Sequence, residues 1–342
     1  MKYIERFYSQ CKEHLDDNYL DSLCYLCKKN LSNEHHDIAL RMNIQLEYIC
    51  KDKDGYDWLN RKVKEFCNSK EIKTENFNGL LGEIRAYGEL LELKSRVTEI
   101  SKIEIPNSGS DFLMSFKNQT VNIEVNAPQQ SGSKITTSDI EKHLTTTDRY
   151  TVKTHISSTA PYGYPVRYKD NIQYEAVSKF AQIKLDKENK QFTKENISIL
   201  WLDLNNPKIF MFNQLDYTTP ILSFNGQVTS GFLWNAFYSL KNDNIYSCYD
   251  GFSSDVIKME FDGRFSNSNI DFVIIDCFTN KVIFENHNSP KIIPSQLYKA
   301  FFQLYNLNNH NSMLSHNNKS NLIELIKIKR DFSNNIVTLY EE

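Results

Sequence analysis

From Met1 to about Ser69 the apolar residues recur at helical spacing, as in Leu20, Leu23, Tyr25 and Leu26 and again in Ile38, Leu40, Met42, Ile44 and Leu46. No two-residue alternation interrupts them, so the stretch predicts a helical N-terminal region. A second helical pattern runs from Gly79 to Leu93. The turn-rich run Ile105-Pro106-Asn107-Ser108-Gly109-Ser110 then opens two short strands, Asp111 to Phe116 and Thr120 to Asn126, joined as a hairpin at Lys117-Asn118-Gln119. Between Ala127 and Asp170 periodicity fades into Ser, Thr, Pro and Tyr, the pattern of a long polar insertion.

Helical spacing returns from about Ile172 to Phe192 and is followed by strands at Ile197 to Leu202 and Ile209 to Phe212. Asp271 to Phe278 and Lys281 to Glu285 form a second apolar hairpin pattern, and a helix opened by proline runs from Pro294 to Leu307. The last segment, Asn318 to Glu342, is polar apart from a short helical pattern at Leu322 to Ile328. Helices crossing between strands predict an α/β fold. The chain divides into a helical region at 1–75, an α/β core at 76–310 with its insertion at about 127–170, and a C-terminal helix and tail at 311–342.

Composition narrows the class only a little. The chain has 342 residues, 40% of them hydrophobic and 24% charged, enough to bury a sizeable core. Its formal charge of -3 carries no global basic signature, so contact with nucleic acid would rest on local patches. Seven scattered cysteines do not resemble a secreted disulfide framework, and no stretch reaches membrane-spanning length or builds a signal peptide. These features read as a soluble cytoplasmic chain with reduced thiols and no membrane partner.

Candidate chemistry gathers around the first hairpin. On the helix that follows Gly79, Leu80, Ile84, Tyr87 and Leu91 share one stripe, and Glu83 falls on it, whereas Arg85, Glu89 and Glu92 lie opposite as solvated charges. In the second hairpin strand Val121, Ile123 and Val125 share one face, and Asn122, Glu124 and Asn126 the other. Asp111 opens the partner strand, so hairpin pairing brings it toward Glu124. Carboxylates crowded together repel and are costly to bury, which calls for a bound cation or a raised pKa. Magnesium fits, because it takes oxygen ligands, keeps several waters and needs only one or two protein carboxylates.

The order helix Glu83, then Ser110-Asp111-Phe112, then Ile123-Glu124-Val125-Asn126 resembles the PD-(D/E)XK nuclease superfamily, whose signature is a helix Glu, an Asp and a Glu-x-Lys pair on a hairpin. The resemblance covers about the middle third of the chain. It implies a restriction-endonuclease-like core with a mixed central sheet flanked by helices. It further implies a Mg²⁺ site, open to Mn²⁺, at Asp111 and Glu124 with Glu83 assisting, and hydrolysis of phosphodiester bonds, with DNA as the expected partner. Restriction or anti-phage defence would follow by analogy with the fold class, and a homodimer would suit cutting of both strands.

Asn126 departs from that pattern, since it stands where the family carries lysine and brings a neutral amide in place of an ammonium. Lys187 and Gln191, near one stripe of the helix after the insertion, and Lys190 at its edge are candidates for the missing group, as is Lys134; each also fits a solvated surface. A catalytically inactive nuclease fold that binds nucleic acid or protein is therefore the alternative. Tyr150, Tyr162, Tyr164 and Tyr168, interleaved with Arg149, Lys153, Arg167 and Lys169, would suit phosphate pairing and base stacking. Cys24 and Cys27 sit inside a helical pattern with no second spaced pair, which favours buried thiols over zinc ligands.

Overall fold

The computed structural model describes residues 2–11, 33–68, 74–128, 177–178, 180–183, 192–205, 220–224, 227–246, 256–266, 268–277 and 280–306. Four helices come first: α1 (Lys2–Cys11), α2 (Asn33–Lys51), α3 (Lys53–Cys67) and α4 (Thr74–Arg96). They are followed by β1 (Ile100–Glu104), β2 (Phe112–Phe116), β3 (Gln119–Asn126), β4 (Ile197–Asp203), β5 (Ile221–Phe224) and β6 (Gln227–Ser230). The remaining elements are α5 (Phe232–Tyr238), β7 (Asn244–Tyr246), β8 (Val256–Lys258), β9 (Phe272–Cys277), β10 (Asn280–Glu285) and α6 (Ser295–Asn306). Among the described residues, no helix is long and apolar enough to cross a membrane.

Six strands make one mixed sheet in the order β1-β2-β3-β4-β9-β10. The meander β1 to β3 is antiparallel, β3, β4 and β9 run parallel, and β10 returns antiparallel to β9. Two further hairpins, β5-β6 and β7-β8, stand apart from it. Every residue of β4 is buried, as a central strand covered on both faces requires. Side-chain alternation assigns the two covers. Phe112, Met114, Val121, Ile123, Ile199, Trp201, Ile274 and Ile283 join the core that contains α1 to α4 and α6. Leu200, Leu202, Val273, Ile275, Val282 and Phe284 turn the other way, toward α5, Val177 and Phe180.

The sequence pattern locates α4, the first hairpin, β4, the β9-β10 hairpin and α6 to within a few residues, and three readings need correction. The edge strand β1 has no counterpart in the pattern, because Ser101 and Lys102 break any apolar face. The helix after the insertion does not continue to Phe192. Val177, Ser178, Phe180 and Ala181 are helical, the Gln182 and Ile183 N–H groups close its last turn on Ser178 and Phe180, and Phe192 lies in a bend. The third correction concerns Arg85, Glu89 and Glu92, which are buried rather than solvated. A wheel with one apolar stripe suits a helix covered on one side; α4 has the sheet on one side and α2 and α3 on the other. The strand expected at 209–212, residues 129–170 of the insertion expected at about 127–170, and the segment 311–342 lie outside the described residues.

Each buried charge on α4 has a partner. Arg85 Nε donates to Asp203 Oδ2 at 2.6 Å. Arg41 Nη1 from α2 lies 2.6 Å from Glu92 Oε2, and Gln45 Nε2 donates to Glu89 Oε1 at 2.8 Å. Lys281 Nζ from β10 meets Glu89 Oε2 at 3.1 Å and Asp276 Oδ2 at 2.5 Å, over the ring of Trp201. Burial works against the Lys281 ammonium, but Asp276 and Glu89 outweigh it and hold its pKa above the ordinary lysine value. Gly88 lets α2 and α4 approach this closely: a Cβ there would stand 2.5 Å from Gln45 Cβ and 2.7 Å from its Cα.

Two stability outcomes follow, both readable by chemical denaturation. Gly88→Ala should destabilise the fold by about 1–3 kcal/mol, since the clash is with backbone and cannot be relieved by a rotamer change. Lys281→Ala should cost about 3–5 kcal/mol, because it strands two carboxylates in the interior. Unchanged midpoints would contradict the helix contact or the network respectively.

Candidate functional site

The first hairpin, the C-terminal half of α3 and the middle of α4 meet beside the carboxyl ends of β3 and β4. Glycine again sets the approach, as a Cβ at Gly82 would lie 3.2 Å from Ala127 Cβ and from Asp203 Oδ2. Glu83 is therefore delivered next to the end of β3. The positioning of α3 is aromatic. Trp58 packs edge-on to Tyr87 with centroids 5.1 Å apart, and Tyr87 stacks on Phe112 at 4.9 Å. One helical turn beyond Trp58, Lys62 Nζ reaches Glu83 Oε2 at 2.7 Å.

Asp111 sits just ahead of β2, after Gly109, whose φ of 99° is a left-handed turn that favours glycine. Phe112 pairs with Ile123, so continuation of the register sets Asp111 across from Glu124. The Val125 N–H donates to Asp111 Oδ2 at 2.8 Å and pins that carboxylate against β3. Glu124 is buried and, by alternation with Ile123, faces away from α4, as does Asn126 at the end of the strand. Asp111 thus stands at the sheet's end with Glu124 on one side, while Glu83 and Lys62 approach from the helical side.

The charges sense one another. Burial first, and the negative charge of Glu83 second, raise the Asp111 carboxyl from its ordinary value of 3.8 to about 6, against the Val125 hydrogen bond and the Lys62 charge, which pull it down. Burial disfavours the Lys62 ammonium, but Glu83 and then Asp111 more than offset this and hold its pKa above the usual value. Among the described residues, no three or more His, Cys, Asp or Glu side chains gather closely enough to form a metal cage. Glu83 is paired with Lys62, and the register sets Asp111 across from Glu124, so these two carboxylates are the ones that could hold a cation. Two carboxylates fit magnesium, which fills its octahedron with water and substrate oxygens.

Of the residues expected from sequence, Glu83, Asp111, Glu124 and Asn126 lie at this end of the sheet. Lys134, Lys187, Lys190 and Gln191 lie outside the described residues, as do the tyrosines and basic residues of the insertion. Lys62 is absent from that set, although the signal for it is the one that marked Glu83. It falls on the buried stripe of Trp58, Leu59, Val63 and Phe66, where a lysine needs a partner.

A carboxyl whose folded pKa lies above its unfolded value holds more protons folded than unfolded between the two values, so its ionisation destabilises the fold as pH rises from about 4 to about 6. Without metal, Asp111→Asn should therefore stabilise the protein by on the order of 2 kcal/mol at pH 7, and by little at pH 4. Thermal unfolding of both proteins in chelator across that range is the check, and a loss of stability at pH 7 would contradict it. No protein family, no curated protein and no solved structure matches the chain.

Proposed function

We propose that the chain is a metal-dependent nuclease of the PD-(D/E)XK type that hydrolyses phosphodiester bonds, with DNA as substrate. The observation that carries this reading is the Asp111 carboxyl, half-buried at the end of a hairpin across from Glu124 and raised to about 6, a cost that a bound cation would remove. The mixed sheet with helical layers on both faces is the core such a reading expects. Asp111 and Glu124 would hold a magnesium ion, with Glu83 close by on α4. When bound, that ion would lower the pKa of water and offset charge on a phosphate.

The chain's own residues divide the remaining work. The Val125 N–H fixes Asp111, leaving its second oxygen for the cation. The neutral Asn126 amide can hydrogen-bond water but brings no charge. This last feature favours the second reading, a nuclease fold kept as a binding module.

Cleavage of supercoiled plasmid and of single-stranded DNA with Mg²⁺ or Mn²⁺ separates the two readings. Metal-dependent cutting is expected in the wild type and should fall below detection in both Asp111→Ala and Glu124→Ala. If the wild type is inert on both substrates while Mn²⁺ raises its melting temperature no more than it raises that of the variants, the nuclease reading fails and the binding module stands.

A further inference from the structure

Building on the nuclease reading, we infer that Lys62 is the positioning lysine of this site: it supplies, from the helical N-terminal layer, the positive charge that Asn126 does not supply from the hairpin. The Lys62 ammonium lies 2.7 Å from Glu83 Oε2 and within electrostatic reach of Asp111, so it faces the carboxylates that the cation would join. Its placement is built rather than incidental. Asp52 caps α3 by accepting from the Gly55 N–H at 2.8 Å, and Trp58, Leu59, Val63 and Phe66 anchor the helix in the core. About a third of the Lys62 side chain remains exposed.

Four other cations of the described core are committed elsewhere. Arg85 is held by Asp203, and Arg41 and Lys281 by Glu89, Glu92 and Asp276. Lys291 is held by Asp271 and the carbonyls of Thr193 and Asn196. Lys62 differs in having a carboxylate of the candidate site as its partner.

Such a lysine has two opposed effects. Its charge opposes the arrival of a divalent cation at Asp111 and Glu124 and occupies Glu83, yet once substrate is present the same charge steadies phosphate oxygens. Loss of Lys62 should therefore tighten metal binding while it weakens cleavage. A lysine that only braces two helices would change neither metal affinity nor saturated rate.

The test titrates Mn²⁺ into metal-free wild type, Lys62→Met, Lys62→Gln and Lys62→Arg. The signal of unbound Mn²⁺ is followed by electron paramagnetic resonance, and plasmid cleavage is measured at saturating Mn²⁺. Lys62→Gln removes the charge but keeps a hydrogen-bond donor toward Glu83, and so keeps the test valid if Lys62→Met folds poorly. Lys62→Met should bind Mn²⁺ about tenfold tighter or more. It should also cut about 100-fold more slowly, with cutting restored in part by Lys62→Arg. Unchanged Mn²⁺ affinity in both Lys62→Met and Lys62→Gln overturns the inference, whether or not plasmid is the right substrate, and leaves the nuclease reading standing if the wild type binds metal and cuts. Absence of Mn²⁺ binding in every protein overturns both.

Discussion

Glu89 and Glu92 leave water on α4, and a carboxylate buried without a partner costs several kcal/mol. They are met from two directions, by Arg41 on α2 and by Lys281 on β10, with Arg96 closing on Glu92 from the same helix at 2.7 Å. Because these partners come from opposite sides, the rotation of α4 about its own axis is set. A helix held only by apolar contacts can roll by a fraction of a turn at little cost; one held by charges on two sides leaves them unpaired if it rolls. Glu83 and Arg85 inherit that rotation, which places Arg85 on Asp203 and Glu83 at the end of the sheet.

The candidate site is consequently a meeting of two layers with different chemistry. The hairpin contributes carboxylates fixed by register and by the Val125 hydrogen bond. The helices contribute an ion pair fixed by the stack of Trp58, Tyr87 and Phe112. Stability and chemistry pull in opposite directions at their boundary, since Asp111 is held where ionisation is unfavourable. The fold tolerates this because α4 and the central strands are firmly packed around it.

Period-two and period-3.6 patterns made α4, β2, β3, β4 and the β9-β10 hairpin legible, together with the hairpin register that sets Asp111 across from Glu124. Each of those depends on local geometry. What the pattern hid depends on neighbours supplied from elsewhere. Arg85, Glu89 and Glu92 look like a solvated face until α2 and β10 cover them with Arg41, Gln45 and Lys281. The short edge strand β1 owes its structure to pairing with β2 rather than to an apolar face of its own. Lys62 falls on a buried stripe of α3 that the sequence reading did not single out, its partner lies on another helix, and only the antiparallel packing of α3 on α4 joins them.

Asp52 alone separates the last residue of α2 from the first of α3. The helix that answers Glu89 and the helix that answers Glu83 therefore form one bent lever with a single-residue elbow. A hairpin transplanted to another scaffold would carry its two acids but leave the ammonium behind. The whole elbowed unit, from Arg41 through Lys62, is the smallest portable piece that brings it.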